Sequence, residues 1–239
     1  AVLQENGLGV SDVTPFAQMS EAAGGMLTGD SILFVDGFDR ALKIPDKGYP
    51  GMSLQKTESE KAIRGSNEGF GDSIKQNTAL IRKRLRSVDL KVAECKCGRR
   101  TGTNVDIMYL DGIVRPEIVT QMQQRLAAFE IDGIGDSGVI EQLTETQWLS
   151  PFPQYQTTRR PDRAVMALLE GRAVLLADNS PEALIFPTDY NSFIKTTDDY
   201  YTRWEIATFT RTLRYVAAFL SMILPGLYLA MTNFHTQLL

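Results

Sequence analysis

One histidine, His235, serves a chain of 239 residues, and it sits in a stretch without Lys, Arg, Asp or Glu. Nucleophilic catalysis of the Ser/His/Asp type therefore has no base to draw the hydroxyl proton. The tetrapeptide Gly135-Asp136-Ser137-Gly138 has the letters of a serine-protease nucleophile loop, but no upstream histidine and no all-β setting accompany it, so it reads as a turn. Acid pairs such as Glu58 with Glu60, or Asp198 with Asp199, read as a solvated face and a helix start rather than a hydrolytic dyad. Cys95 and Cys97 put two thiols on one face of a strand, with no second pair and no nearby histidine to complete a four-ligand zinc site. The glycine-rich "RGSNEGFG" at 64–71 leads into a helix and could offer backbone N–H groups to an anion. It is neither a P-loop nor a dinucleotide fingerprint, and a tight turn is its simpler reading. No metal and no cofactor is implied.

Basic side chains cluster three times. "RKRLR" at 82–86 is either a helix face paired with acids elsewhere or a surface for anionic lipid or a partner; it lacks the interleaved aromatics of a nucleic-acid site. Arg159, Arg160, Arg163 and Arg172 surround Asp162, an arrangement that suits an ion-pair network at a helix start better than an anion site. Arg203, Arg211 and Arg214 precede the apolar tail, which by the positive-inside tendency sets the soluble part on the cytoplasmic side. A net charge of −4 argues against general nucleic-acid binding. Two cysteines cannot staple a chain this long and fit a reducing compartment or an indifferent one.

The elements that must position these groups are mixed. Ser31–Val35 and "RALKI" at 40–44 form a hairpin closed by Pro45, and Glu58–Arg64 adds a helical turn or two. Asp72 is placed to cap a helix over 73–87 whose apolar face is Ile74, Ile81 and Leu85. A second hairpin spans 89–113. Pro116 opens a helix with the stripe Ile118, Met122, Leu126 and Phe129. After the glycine-rich join at 131–138 come a helix over 138–147, an extended proline-punctuated linker over 150–156, and a helix opened by Pro161 and ended by Gly171. Thr197 is placed to cap a long helix whose first turn holds Asp198 and Asp199. The expected plan is α/β: two mixed α/β subdomains, 1–132 and 133–207, with β-hairpins packed by helices. A long C-terminal helix over 208–239 then leads toward the membrane.

From Tyr215 to Leu239 the chain carries no charged side chain. Its length suits a membrane span, an interfacial helix, or a buried core helix interrupted at Pro225-Gly226. The tail leads us to expect further apolar spans beyond Leu239. The N-terminus lacks the basic start and apolar run of a signal peptide.

"MLTGDSILFVDGFDRALKIP" at 26–45 returns, 142 positions later, as "LLEGRAVLLADNSPEALIFP" at 168–187. Glycine before the first strand, aspartate at the turn, Ala-Leu in the return strand and proline at its end all coincide. The two stretches read as equivalent hairpins, and a different strand order around them would defeat that reading.

Three long segments, 58–86, 150–187 and 198–231, together resemble the A-subunit family of bacterial spore germinant receptors, in collinear order from about Leu27 onward. The family's Glu-x-x-x-Arg-Gly-x-x-Glu-Gly-Phe pattern is met by Glu60, Arg64, Gly65, Glu68, Gly69 and Phe70. Its Asn-x-x-Leu-x-x-x-Arg helix is met by Asn77, Leu80 and Arg84. Arg160, Pro161, Asp162, Glu170, Gly171, Arg172 and the Asp199-Tyr200-Tyr201 run complete the match. Ser66, Arg159 and Asn179 depart from it, where proline, glutamate and glycine are usual. The resemblance implies a soluble region of two α/β subdomains ahead of several membrane spans, in the spore inner membrane with this region on the cytoplasmic, core side. It implies membrane-embedded B and lipoprotein C subunits as partners, a response to small nutrients such as amino acids or sugars, and no catalytic residues. Two roles follow: a non-catalytic platform for assembly with partners or further copies and for signal coupling, or a module holding a nutrient between the subdomains. Glu60, Arg64, Glu68, Arg160, Asp162 and Arg172 are the expected subdomain or subunit contacts.

Overall fold

The computed structural model describes residues 14–16, 18–27, 29–37, 39–44, 60, 68–147, 149–150, 152–196, 199 and 201–234. Residues 1–61 and 67–187 belong to one compact unit; 62–66 and 188–239 belong to a second. The fold is mixed α/β, with two sheets and, among the described residues, seven helices.

In the first unit β1 (Thr14–Phe16), α1 (Met19–Leu27), β2 (Ser31–Leu33) and β3 (Ala41–Ile44) build a three-stranded antiparallel sheet of order β1-β3-β2. Then follow α2 (Ile74–Arg84), β4 (Leu90–Cys97), β5 (Thr103–Leu110), α3 (Pro116–Ala128), α4 (Ser137–Thr144), β6 (Gln156–Thr158), α5 (Pro161–Leu169), β7 (Ala173–Ala177) and β8 (Ala183–Phe186). Their strands form a five-stranded antiparallel sheet of order β4-β5-β7-β8-β6. β4 and β5 lie before residue 132 and β6, β7 and β8 after it, all in this one sheet.

Both faces of that sheet are covered, which is why β7 "AVLLA" and β8 "ALIF" read as continuous apolar runs and are buried at every position. Val105, Ile107, Leu175, Leu184 and Phe186 pack against Val119, Met122 and Leu126 of α3 and Ile140 of α4. On the opposite face Met108, Val174, Leu176 and Ile185 pack against Ile74 and Ile81 of α2 and Ala164, Val165 and Leu168 of α5. Pro116 and Pro161 each start their helix, where a missing N–H costs nothing.

The two similar stretches share more than a hairpin. A shift of 142 carries the bounds of β1, α1 and β3 onto those of β6, α5 and β8, and the start of β2 onto that of β7. Strand order is the same, β1-β3-β2 against β6-β8-β7. So is the register: Thr14 opposite Lys43 becomes Gln156 opposite Ile185, and Leu33 opposite Leu42 becomes Leu175 opposite Leu184. Gly29 and Gly171, which follow the two helices, have φ angles of 87° and 82°, a region that favours glycine. Hairpin physics acting twice would reproduce a turn, but not a helix and a third strand at the same offset.

Local expectations failed in three places. Ser73, not Asp72, is the N-cap residue of α2, and its side chain makes no capping bond. The Ile74 N–H instead donates to Asp178 Oδ1 at 3.2 Å, a cap supplied from the hairpin turn after β7. In the second unit α6 (Tyr190–Ile194) precedes α7 (Trp204–Phe234), which starts well after the expected Thr197 cap. Thr197 and Asp198 lie outside the described residues, and Asp199 sits in a turn ahead of the helix. Pro225 does not interrupt α7, which is continuous through it. None of its apolar window is buried against the described residues, unlike the expected core helix. At 1.5 Å per residue α7 is about 46 Å long, and it has the length and composition to cross a membrane. The expected helical turn at 58–64 lies, apart from Glu60, outside the described residues.

Candidate functional site

Arg160 is the largest fully buried side chain among the described residues, at 1% exposure. A buried guanidinium survives only where its N–H groups are paired. Here Nε and Nη2 donate to the two carboxylate oxygens of Asp162 at 3.1 and 2.8 Å, and Nη1 donates to the Glu60 carbonyl at 2.9 Å. The planar fork meets the carboxylate edge-on, a geometry lysine cannot reproduce. Thr158 Oγ1 donates to Glu60 Oε2 at 2.9 Å and accepts from the Arg160 N–H at 3.1 Å, while Arg163 stands 4.0 Å from Glu60. The motif positions of 60 and 160–162 thus meet in one network, although 100 residues separate Glu60 from Arg160.

A second layer extends it. The Phe70 N–H donates to the Arg159 carbonyl at 2.8 Å, and the Arg159 guanidinium donates to Glu182. Asn77, 1% exposed on α2, donates to the Gly71 carbonyl and accepts from its N–H, clamping the turn before the helix. Glu68 pairs with Lys83 and Arg84 at 2.8 and 2.7 Å, and the Lys83 hydrogen bond leads in holding its carboxyl below the usual range. Arg172 pairs with Glu170 at 3.1 Å. Of the expected contact residues, Glu60, Arg160 and Asp162 come together. Glu68 and Arg172 form separate pairs, and Arg64 lies outside the described residues.

Three acidic residues have roles not read from the sequence. Asp178 caps α2 as described. Asp136 caps α4, accepting from the Ser137 N–H at 2.6 Å and from the Ser180 hydroxyl, which leads in holding its carboxyl below the usual range. The protease-like tetrapeptide is therefore a helix start, with Ser137 fully buried beside Ser180. In the second unit Asp199 accepts from both terminal nitrogens of Arg214 on α7, at 2.9 and 2.7 Å, and Arg211 lies 3.7 Å away. The Arg214 hydrogen bonds are the largest cause that holds the Asp199 carboxyl down at about 2. Arg214 also donates to the Ile194 carbonyl, and Tyr215 donates to Asn191, so α6 and its following turn are fastened to α7.

Burial pushes the Cys95 and Cys97 thiols up, so both stay neutral. No group of three or more His, Cys, Asp or Glu among the described residues could hold a metal ion. An apolar cavity of about 10 Å³, lined by Cys97, Leu126, Ile134, Ile140 and Thr144 among others, has room for one water at most.

An α/β unit whose chain continues into a helix of membrane-crossing length is the plan of this chain. Comparison with known proteins gives that plan a family. The family described as "Bacillus/Clostridium GerA spore germination protein" matches residues 1–239. The chain is 36% identical over 235 residues to "Uncharacterized membrane protein YfkQ" of Bacillus subtilis (strain 168), covering 98% of this chain and 46% of that protein. It is 36% identical over 214 residues to "Spore germination protein KA" of the same organism, covering 90% and 39%. It is 31% identical over 212 residues to its "Stage V sporulation protein AF", covering 88% and 43%. The crystal structure of the N-terminal domain of the A subunit of the Bacillus megaterium spore germinant receptor GerK3 matches with a TM-score of 0.59 and 32% identity, over 79% of this chain and 68% of that one. The chain belongs to the GerA family of spore germination proteins, and it spans less than half the length of the curated relatives named here.

Proposed function

We propose that this chain is the N-terminal region of a germinant-receptor A subunit and acts, without catalysis, as an assembly and signal-coupling platform in nutrient-triggered germination. The observation that carries the reading is the character of its charged clusters. Each guanidinium nitrogen of Arg160 donates to protein, as suits a part that holds geometry rather than one that turns over a substrate. The Asp199–Arg214 clasp supports the coupling half, because it fastens a turn and a short helix to the start of the apolar helix. In this reading α7 enters the spore inner membrane with the preceding unit on the core side, and B and C subunits are the partners.

Charge reversal by Arg160→Glu in the complete protein tests it in spores. The expected result is a lowered receptor level or a weakened germination response to nutrients. Normal levels with a normal response defeat the platform reading. A rise in thermal stability with amino acids or sugars at millimolar concentration would move the assignment to a nutrient-binding module, since a ligand selective for the folded state must stabilise it.

A further inference from the structure

The duplicated β-α-β-β unit has one edge used in its second copy and open in its first. On β7 that edge is taken by β5, with Val105 opposite Ala177, Asp106 opposite Leu176, Ile107 opposite Leu175 and Met108 opposite Val174. The equivalent edge of β2 has no strand on it among the described residues. The consequence is visible in exposure. Leu176 and Ala177, held by β5, are 1% and 0% exposed, whereas their counterparts Phe34 and Val35 are 57% and 36% exposed. Ile32 of β2 lies against α1 beside Gly25, and Phe34 and Val35 follow directly on the end of that strand at Leu33.

We propose that the β2 edge is an assembly edge, which takes β2 of a second copy of the chain as an antiparallel strand. The residues 31–35, "SILFV", contain no charge, proline or glycine, the features that normally blunt an edge. Strand β4, an edge of the larger sheet among the described residues, carries exposed Lys91, Glu94 and Lys96 and is protected against such pairing. Segment 31–35 is complementary to itself: with a two-fold axis through Leu33, Ile32 faces Phe34 of the second copy and Ser31 faces its Val35. That places a β-branched residue against an aromatic one on both sides of the axis, a favourable cross-strand pair; the like charges this register brings opposite each other, Asp30 and Asp36, lie just outside the segment, and Asp30 is neutralised by Lys43 at 2.7 Å.

This deepens the assembly reading above, and its test is separable from it, because cross-linking reads strand pairing while germination reads the platform. The complete protein carrying Leu33→Cys is oxidised mildly in membranes, beside a Met19→Cys control on the 72% exposed position of α1. Opposed residues in antiparallel strands have Cα atoms about 4.5–5.5 Å apart, within disulfide reach. The expected result is a covalent species of twice the chain mass, on the order of ten times the control yield, that disappears when Phe34→Lys is added. Phe34 is exposed, so this lysine disturbs no core. Yields equal to the control, a link that survives Phe34→Lys, or an adduct of any other mass overturns the proposal, the last by giving the edge to a different protein.

Discussion

Gly37 and Asn179 hold φ angles of 79° and 63° at equivalent positions of the two hairpins, each directly after the aspartate that opens the turn. The turn needs a left-handed residue there. Glycine supplies it without strain, asparagine tolerates it, and other side chains lose about 1 kcal/mol or more. Asn179 also donates its N–H to the Asp72 carbonyl at 2.7 Å, which ties the turn to the start of α2. Asn179→Ala is therefore expected to lower the melting temperature of the chain, while Asn179→Gly leaves it within a degree or two or raises it. Equal losses for both would assign the position to side-chain contacts instead.

Asp178 sits one residue earlier and acts on the same helix. Its carboxylate accepts from the first N–H of α2 and places negative charge at the positive end of the helix dipole. Asp178→Ala should cost about 1 kcal/mol, read by urea unfolding, and Asp72→Ala should cost less, because no capping bond comes from Asp72. The reverse order would restore Asp72 as the cap.

That contrast marks what is legible in the sequence. The hairpins, the proline-started helices and the stripes through Met122 and Leu126 are set by local spacing and can be read from it. The cap of α2 comes from 104 residues away, so no window around Asp72 contains it. The join at 131–138 reads as a boundary because glycines cluster there. The pairing of β5 with β7 across it is a long-range hydrogen-bond ladder that composition does not record. Among the contact residues, Arg160 with Asp162 is visible as a short-range pair, whereas Glu60 reaches Arg160 through its backbone carbonyl, a group no motif can display. The 142-residue offset is the one long-range feature readable from letters alone, because a duplication copies spacing along with fold.

The Asp199 clasp carries a pH dependence whose sign can be worked out. Its folded-state carboxyl titrates at about 2 against an ordinary 3.8. The ionised form is favoured by the fold, so the stabilisation is complete above about pH 4 and is lost as pH falls through 2. Partial exposure of Arg211 and Arg214 limits the effect to about 1–2 kcal/mol. Asp199→Asn should lower stability at pH 7 and flatten the acid limb of a stability–pH curve between 4 and 2. A parallel curve, displaced but equally steep, would show that other carboxylates set that limb.

The Arg160–Asp162 pair allows a sharper test, because the two partners differ in burial. Arg160 is 1% exposed in its side chain and Asp162 11%. Asp162→Ala takes from a buried guanidinium both hydrogen bonds to its carboxylate partner, and breaking a buried ion pair by removing one member costs about 3–5 kcal/mol. Arg160→Met removes the charge and fills most of its volume with an adaptable apolar chain, leaving Asp162 nearer to water and the Glu60 carbonyl without its donor. The lost hydrogen bonds then cost about 1–3 kcal/mol. Denaturant unfolding should accordingly rank Asp162→Ala below Arg160→Met in stability, and Arg160→Lys close to Asp162→Ala, since an ammonium keeps the buried charge but cannot form the fork. If Arg160→Met proves the least stable of the three, the guanidinium contributes more than it costs, and the network is a net source of folding energy rather than a device that fixes the join of residue 60 to α5.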